Sequence, residues 1–334
     1  MKTYILTQSK RRLTDLIIAG SVLLLILGLQ SCGNNDEITD PIDNSSTGTE
    51  ATANVELKFA SASDLANNAL LYVFNTTNQF QRKQLNVNKV GNKLTTNMAA
   101  GTWNLVLLSS DANIESSIKL PVFNEAMSTA KMWETPLDAG GNFLTKVPEE
   151  LRYASFPNTG ILANTTNYIN NANLKRSVGM IRVILTHSGF GTIPAGQSTT
   201  DYIELQDVPT TLSWESKFLP NKITPTVSSK PLRNYLKFDA AGKADTVNFI
   251  VPAHMGANAA DVTSHRVKIK ACMMLGGSPF IGKGATVIPS YPAPNQIVEV
   301  KLTFRGEPDA LLDIKVKVKE WETELNQEED NLPL

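Results

Sequence analysis

Thiols, imidazoles and paired carboxylates are where chemistry could begin, and the chain carries few: two Cys and three His in 334 residues. His187, His254 and His265 lie far apart and fit no metal-ligand spacing; each reads as a surface or turn residue rather than a base. Gly276-Gly277-Ser278 lacks the flanking spacing of a nucleophile elbow, and Gly282-Lys283-Gly284 lacks the third glycine of a dinucleotide loop. Glu149 and Glu150 are adjacent, so no regular element turns both toward one substrate. Cys272 ends the stretch Val267 to Ala271, and it reads as a buried, inert thiol. These residues predict no enzyme, no cofactor and no metal centre.

Cys32 is different, because of what precedes it. Lys2, Lys10, Arg11 and Arg12 open the chain, an uncharged run follows from Leu16 to Leu29, and Leu29-Gln30-Ser31-Cys32 closes it. A basic start, a short apolar core and a small residue before the cut make a secretory signal. The 14-residue run falls short of the roughly 20 that span a bilayer as a helix. Leu29, Ser31 and Cys32 resemble the lipobox of bacterial lipoproteins. The resemblance implies a mature chain that begins at Cys32, acylated on its thiol and amine. Several acyl chains on one residue anchor stably where one is marginal.

Residues 33–51 carry five acids (Asp36, Glu37, Asp40, Asp43, Glu50), no Lys or Arg, and little to bury. They predict a solvated tether. Acids just after the lipidated Cys resemble an export signal to the outer face of the outer membrane. The whole chain has 31 Lys+Arg against 32 Asp+Glu, a net charge of -1. Removing residues 1–31 takes away four bases and Asp15, leaving the mature protein at -4. No basic excess remains to attract nucleic acid.

The elements behind these residues are strands. Ala53, Val55, Leu57 and Phe59 alternate with Asn54, Glu56 and Lys58. Similar alternation marks 247–251, 267–271, 298–304 and 314–318, with denser runs at 70–74, 103–108 and 180–186. One helix is expected, at Asn124 to Trp133, on the spacing of Met127, Ala130 and Met132. Short strands between Gly, Pro and Asn turns predict β-sandwiches. The polar run 164–176 divides the body into residues 52–170 and 171–334, after a signal of 1–31 and a tether of 32–51.

The order of segments is similar to the fimbrillin family, the lipoprotein subunits and anchors of type V pili. It is carried by Ala53 to Phe59, Leu71-Tyr72-Val73-Phe74, Ala100-Gly101-Thr102-Trp103 and Pro148 to Tyr153. Leu174 to Val183, Ile203 to Pro209 and Val316 to Trp321 complete it. The resemblance implies an all-β fold of two tandem transthyretin-like sandwiches. It implies fimbrial subunits as partners, assembled by exchange of a strand into a neighbour's sheet, and a fimbrium at the cell outer membrane, held by the lipid on Cys32. A host or bacterial surface ligand would be the target of adhesion. In shaft subunits of the family an arginine-specific protease removes the first strand. Here the first basic residue after Cys32 is Lys58, inside that strand, and the first Arg is Arg82. This departure favours an anchor or accessory subunit over a shaft subunit. The stretch Leu311 to Trp321 is the candidate donor strand, and an ordinary edge strand is its alternative.

A surface glycan-binding lipoprotein is the other functional reading, and an exposed row of aromatics in a cleft would be its mark. The four Trp are dispersed and read as core residues. Asp245-Thr246-Val247 resembles a short O-glycosylation sequon.

Overall fold

Apolar side chains at every second position give a strand one face to bury, and two such sheets must bury their faces together. The computed structural model describes residues 51–61, 65–145, 151–188, 195–220, 225–244, 246–255, 265–272, 286–287, 289–305 and 313–320. All of them belong to one compact unit, Gly48–Leu334. They form β-sheets, and the one helical element among them is a turn of 3-10 helix at Glu115–Ser117.

The first sheet has the order β4-β5-β1-β9, built from β1 (Thr52–Phe59), β4 (Asn88–Val90), β5 (Lys93–Ala99) and β9 (Thr166–Ala172). The second has the order β10-β8-β6-β2-β3: β2 (Asn68–Phe74), β3 (Phe80–Gln84), β6 (Gly101–Ser110), β8 (Arg152–Ile161) and β10 (Lys175–Arg176). Val55, Leu57 and Phe59 from the first sheet meet Leu71, Val73, Leu105 and Leu107 from the second in one core.

The third sheet runs β15-β11-β18-β19, from β11 (Val178–Ser188), β15 (Val247–Pro252), β18 (Gln296–Arg305) and β19 (Asp313–Glu320). The fourth runs β14-β12-β16-β17, from β12 (Gly196–Gln206), β14 (Leu232–Phe238), β16 (Lys268–Cys272) and β17 (Thr286–Val287). Ile181, Val183, Val298 and Val300 face Ile203, Leu205, Leu236 and Ile269 across a second core. A small ladder of β7 (Lys131–Glu134) and β13 (Thr211–Ser213) completes the set.

The second sheet is buried on both faces, which is why β2 and β6 read as unbroken apolar runs. Its far face, with Tyr72, Phe74, Phe80, Val106 and Leu108, joins the core of the third and fourth sheets through Trp133, Trp214 and Phe218. The Trp214 ring lies 4.4 Å from Tyr72 and 5.6 Å from Phe74, and its carbonyl accepts from the Tyr153 hydroxyl at 2.9 Å.

Three expectations are corrected. The helix at Asn124 to Trp133 is a series of turns leading into β7. Asn124 sits at φ 65, the left-handed third position of the turn Val122–Glu125, and Met127, Ala130 and Met132 are buried from turns and a strand rather than from one helical face. His254 is buried rather than at the surface, and Cys272 is half-buried on the outward side of β16 beside Tyr202. Apart from these three, the polar run 164–176, read as the divide between the two parts, holds β9 and β10; β9 is an edge strand with few side chains to bury, so its sequence lacks an apolar stripe.

Candidate strand-exchange site

β1 lies inside the first sheet. It pairs antiparallel with β5 over seven positions, Thr52↔Ala99 to Lys58↔Lys93, and parallel with β9 over five, from Asn54↔Thr166 to Phe59↔Ala172. Its alternate side chains Ala53, Val55, Leu57 and Phe59 are 4%, 0%, 0% and 1% exposed. On the outer side Glu56 pairs with Lys93 at 2.8 Å. The strand is tied at both ends. The Phe59 N–H donates to Asn92 O at 3.0 Å, the Asn92 amide donates to Phe59 O at 2.8 Å, and the Ala100 N–H donates to Ala51 O at 2.9 Å.

A strand so placed is the plug of a slot. Without it, β5 and β9 would face each other across two rows of unpaired backbone groups, over four empty apolar pockets. Such a slot binds an extended segment by backbone hydrogen bonds and sets its register by alternate side chains. The basic residues nearest β1 do not free it. Lys58 is within β1, opposite Lys93, and Arg82 is within β3, opposite Val73.

β19 has the opposite character. It pairs antiparallel with β18 over eight positions, Gln296↔Glu320 to Thr303↔Asp313, at the outer edge of the third sheet. Val316 and Val318 face Val300 and Val298 across the ladder. The β18 residues are 0% and 1% exposed, whereas Val316 is 48% and Val318 51%. On the other side stand Lys315, Lys317 and Lys319, the last paired with Glu299 at 2.8 Å. Backbone hydrogen bonds hold β19 in place, and Val316 and Val318 add little apolar burial to them.

Cys32, Glu149, Glu150, Trp321 and the Gly-containing segments at 276–278 and 282–284 lie outside the described residues. Of the sequon-like tripeptide, Asp245 is outside them, Thr246 is exposed and Val247 is buried. His187 lies in β11. The His254 Nδ1 accepts from the Phe218 N–H at 3.0 Å, and His265 Nε2 lies 2.9 Å from Asp207 O. Burial holds the His265 imidazole below its ordinary pKa. Both rings pack against Phe218, so they serve the core. Among the described residues no group of three or more His, Cys, Asp or Glu could hold a metal ion.

The outer face of the fourth sheet carries an aromatic cluster that the sequence reading missed. Tyr202 and Tyr235 stand 5.8 Å apart, edge to face. The Arg233 guanidinium lies 4.0 Å from the Tyr202 ring and 4.2 Å from the Phe143 ring, and it pairs with buried Glu204. The protein's own arginine fills this aromatic site. Trp133 and Trp214 are buried, and Trp103 lies under Arg82 at 5.3 Å. Register could have revealed the cluster, because Tyr202↔Tyr235 and Glu204↔Arg233 are cross-strand neighbours. A single sequence does not show register.

No protein-family model matches the chain, and no curated protein matches it. Solved structures align with it at low identity. The tip fimbrial protein Mfa3 from Porphyromonas gingivalis, with a C-terminal truncation, shares 15% identity over 81% of this chain and 100% of that one, with a TM-score of 0.43. The fimbrial anchor protein Mfa2 from the same organism shares 12% identity over 81% of this chain and 98% of that one, with a TM-score of 0.45. At these values the likeness carries no argument about function.

Proposed function

We propose that the chain is a surface lipoprotein of a fimbrium, an anchor or accessory subunit, which joins other subunits by strand exchange and supports adhesion. The observation that carries this reading is the contrast between its first and last described strands. β1 is clamped between two neighbours with four buried side chains, and no basic residue lies between Cys32 and Lys58 to release it. β19 has exposed valines and an open edge, so moving it to a partner's sheet costs little burial. A subunit that keeps its own plug and offers a terminal strand can end or root a fibre. The lipid on Cys32 would hold it at the outer membrane. The division into residues 52–170 and 171–334 belongs to the same proposal. The first two sheets, drawn from Thr52–Arg176, and the next two, from Val178–Glu320, support it to within a few residues.

Mass spectrometry of surface-sheared fibres tests the reading. It should find this chain with an acylated Cys32 and with residues 53–59 retained. Loss of residues 33–60 from the fibre form would favour a shaft role. Recovery only as an envelope monomer would overturn assembly.

A further inference from the structure

At one end of the first sandwich, where β2 begins, the two sheets leave a cavity of about 250 Å3. Its floor is apolar: half-buried Ala69, Leu70 and Val87 line it, over buried Leu94 and Ile114. Its rim is made of amides, from Asn67, Asn68 and Asn113.

Two charged groups also reach the rim, and both are engaged. Lys89 Nζ donates to the carbonyls of Leu65 and Ala66 at 2.7 and 3.0 Å, and Glu115 pairs with Lys83. Neither demands a counter-ion from a ligand. What remains is an alternation of donors and acceptors. The Asn68 amide nitrogen is spent on the carbonyls of Ser110 and Asp111, which leaves its oxygen to accept. The Asn113 oxygen is spent on the Glu115 N–H, which leaves its nitrogen to donate. The second Glu115 oxygen accepts, and the third Lys89 proton donates.

A hydroxyl donates and accepts at once, so neighbouring hydroxyls match this alternation, and an apolar floor suits the C–H face of a ring. The volume lies below the roughly 300 Å3 at which drug-sized pockets begin, so it fits one ring rather than a chain. We propose that this cavity is a binding site for a neutral monosaccharide unit of a surface glycan. The proposal is independent of the assembly reading and does not use an aromatic platform.

Saturation-transfer NMR of the mature chain against the methyl glycosides of glucose, galactose, mannose and N-acetylglucosamine tests it, with N-acetylneuraminate as the charged comparison. At least one neutral sugar should bind with a Kd on the order of 1 mM, the range of a small ligand of about a dozen heavy atoms. The side-chain amide resonances of Asn67, Asn68 and Asn113 should move with it. Asn67→Trp, an exposed position, should abolish binding while the melting temperature stays unchanged. Glu115→Gln, which removes one charged acceptor, should weaken binding about 5-fold. Silence from all four neutral sugars, tighter binding of N-acetylneuraminate, or undiminished binding in Asn67→Trp would each overturn the assignment.

Discussion

Glu204 is a carboxylate buried on the outer face of the fourth sheet, and Arg233 makes that tolerable. The guanidinium is planar, so it can lie between Tyr202 and Phe143 while its edge meets the acid. Removing one member of a buried ion pair typically costs about 3–5 kcal/mol, because the other charge stays behind. Arg233→Ala should therefore lower stability by roughly that much in urea titration. Adding Glu204→Gln should restore most of it. Histidine makes a second prediction. His265 is held below the ordinary value of about 6.5, so the folded state binds fewer protons there than the unfolded one. Its contribution is complete above about pH 6.5 and falls away as the pH drops through the lowered folded value. The melting midpoint should decline from pH 7 to pH 5, and His265→Gln should reduce that decline. None of these roles was legible from the sequence. Arg233 and Glu204 are 29 positions apart, and Phe218 reaches His254 across 36. The sequence shows that such residues exist, and the register decides whom they meet.

Strands were legible where one face is buried and the other wet, as in β1, β16 and β18. They were also legible where both faces are buried, as in β2 and β6. β9 escaped notice because its edge position asks little of its side chains, and the stretch before β7 imitated a helix because Met127, Ala130 and Met132 happened to fall three and two apart. Alternation did not distinguish β18 from β19 either. The two carry the same pattern, yet at the edge of the sheet Val316 and Val318 are exposed. This difference predicts opposite outcomes for matched substitutions. Val316→Asp with Val318→Asp should change monomer stability by no more than about 0.5 kcal/mol for each site, as exposed positions do. In sedimentation of the full mature chain, the same pair should reduce association with partner subunits. Val300→Asp, one strand inward, puts a charge in the core and should prevent folding. In β1, Leu57→Ala should cost about 2–5 kcal/mol by denaturation, since the side chain is fully buried.

Across the whole molecule, the apolar cluster beneath the second sheet does not stop at the end of the first half. Tyr72, Phe74 and Phe80 share it with Trp214, Phe218 and the cores of the third and fourth sheets. Parts that share a core should melt together, so calorimetry should show one main transition through residues 52–320. Trp214→Ala should lower that transition as a unit, with a loss of about 3–5 kcal/mol. The placement of β1 then bears on mechanics. A lipid-anchored subunit of a fibre would feel tension through the chain that enters at Thr52. Pulled along its axis, β1 cannot peel away one bond at a time. The ladders to β5 and β9 are loaded together in shear, while Val55, Leu57 and Phe59 must leave their pockets in the same step. Forced unfolding is governed by the rate of crossing that barrier rather than by equilibrium stability. In such a subunit the first strand of the fold would also be its strain-bearing buckle, and the slot that holds it would set how long the molecule keeps its grip.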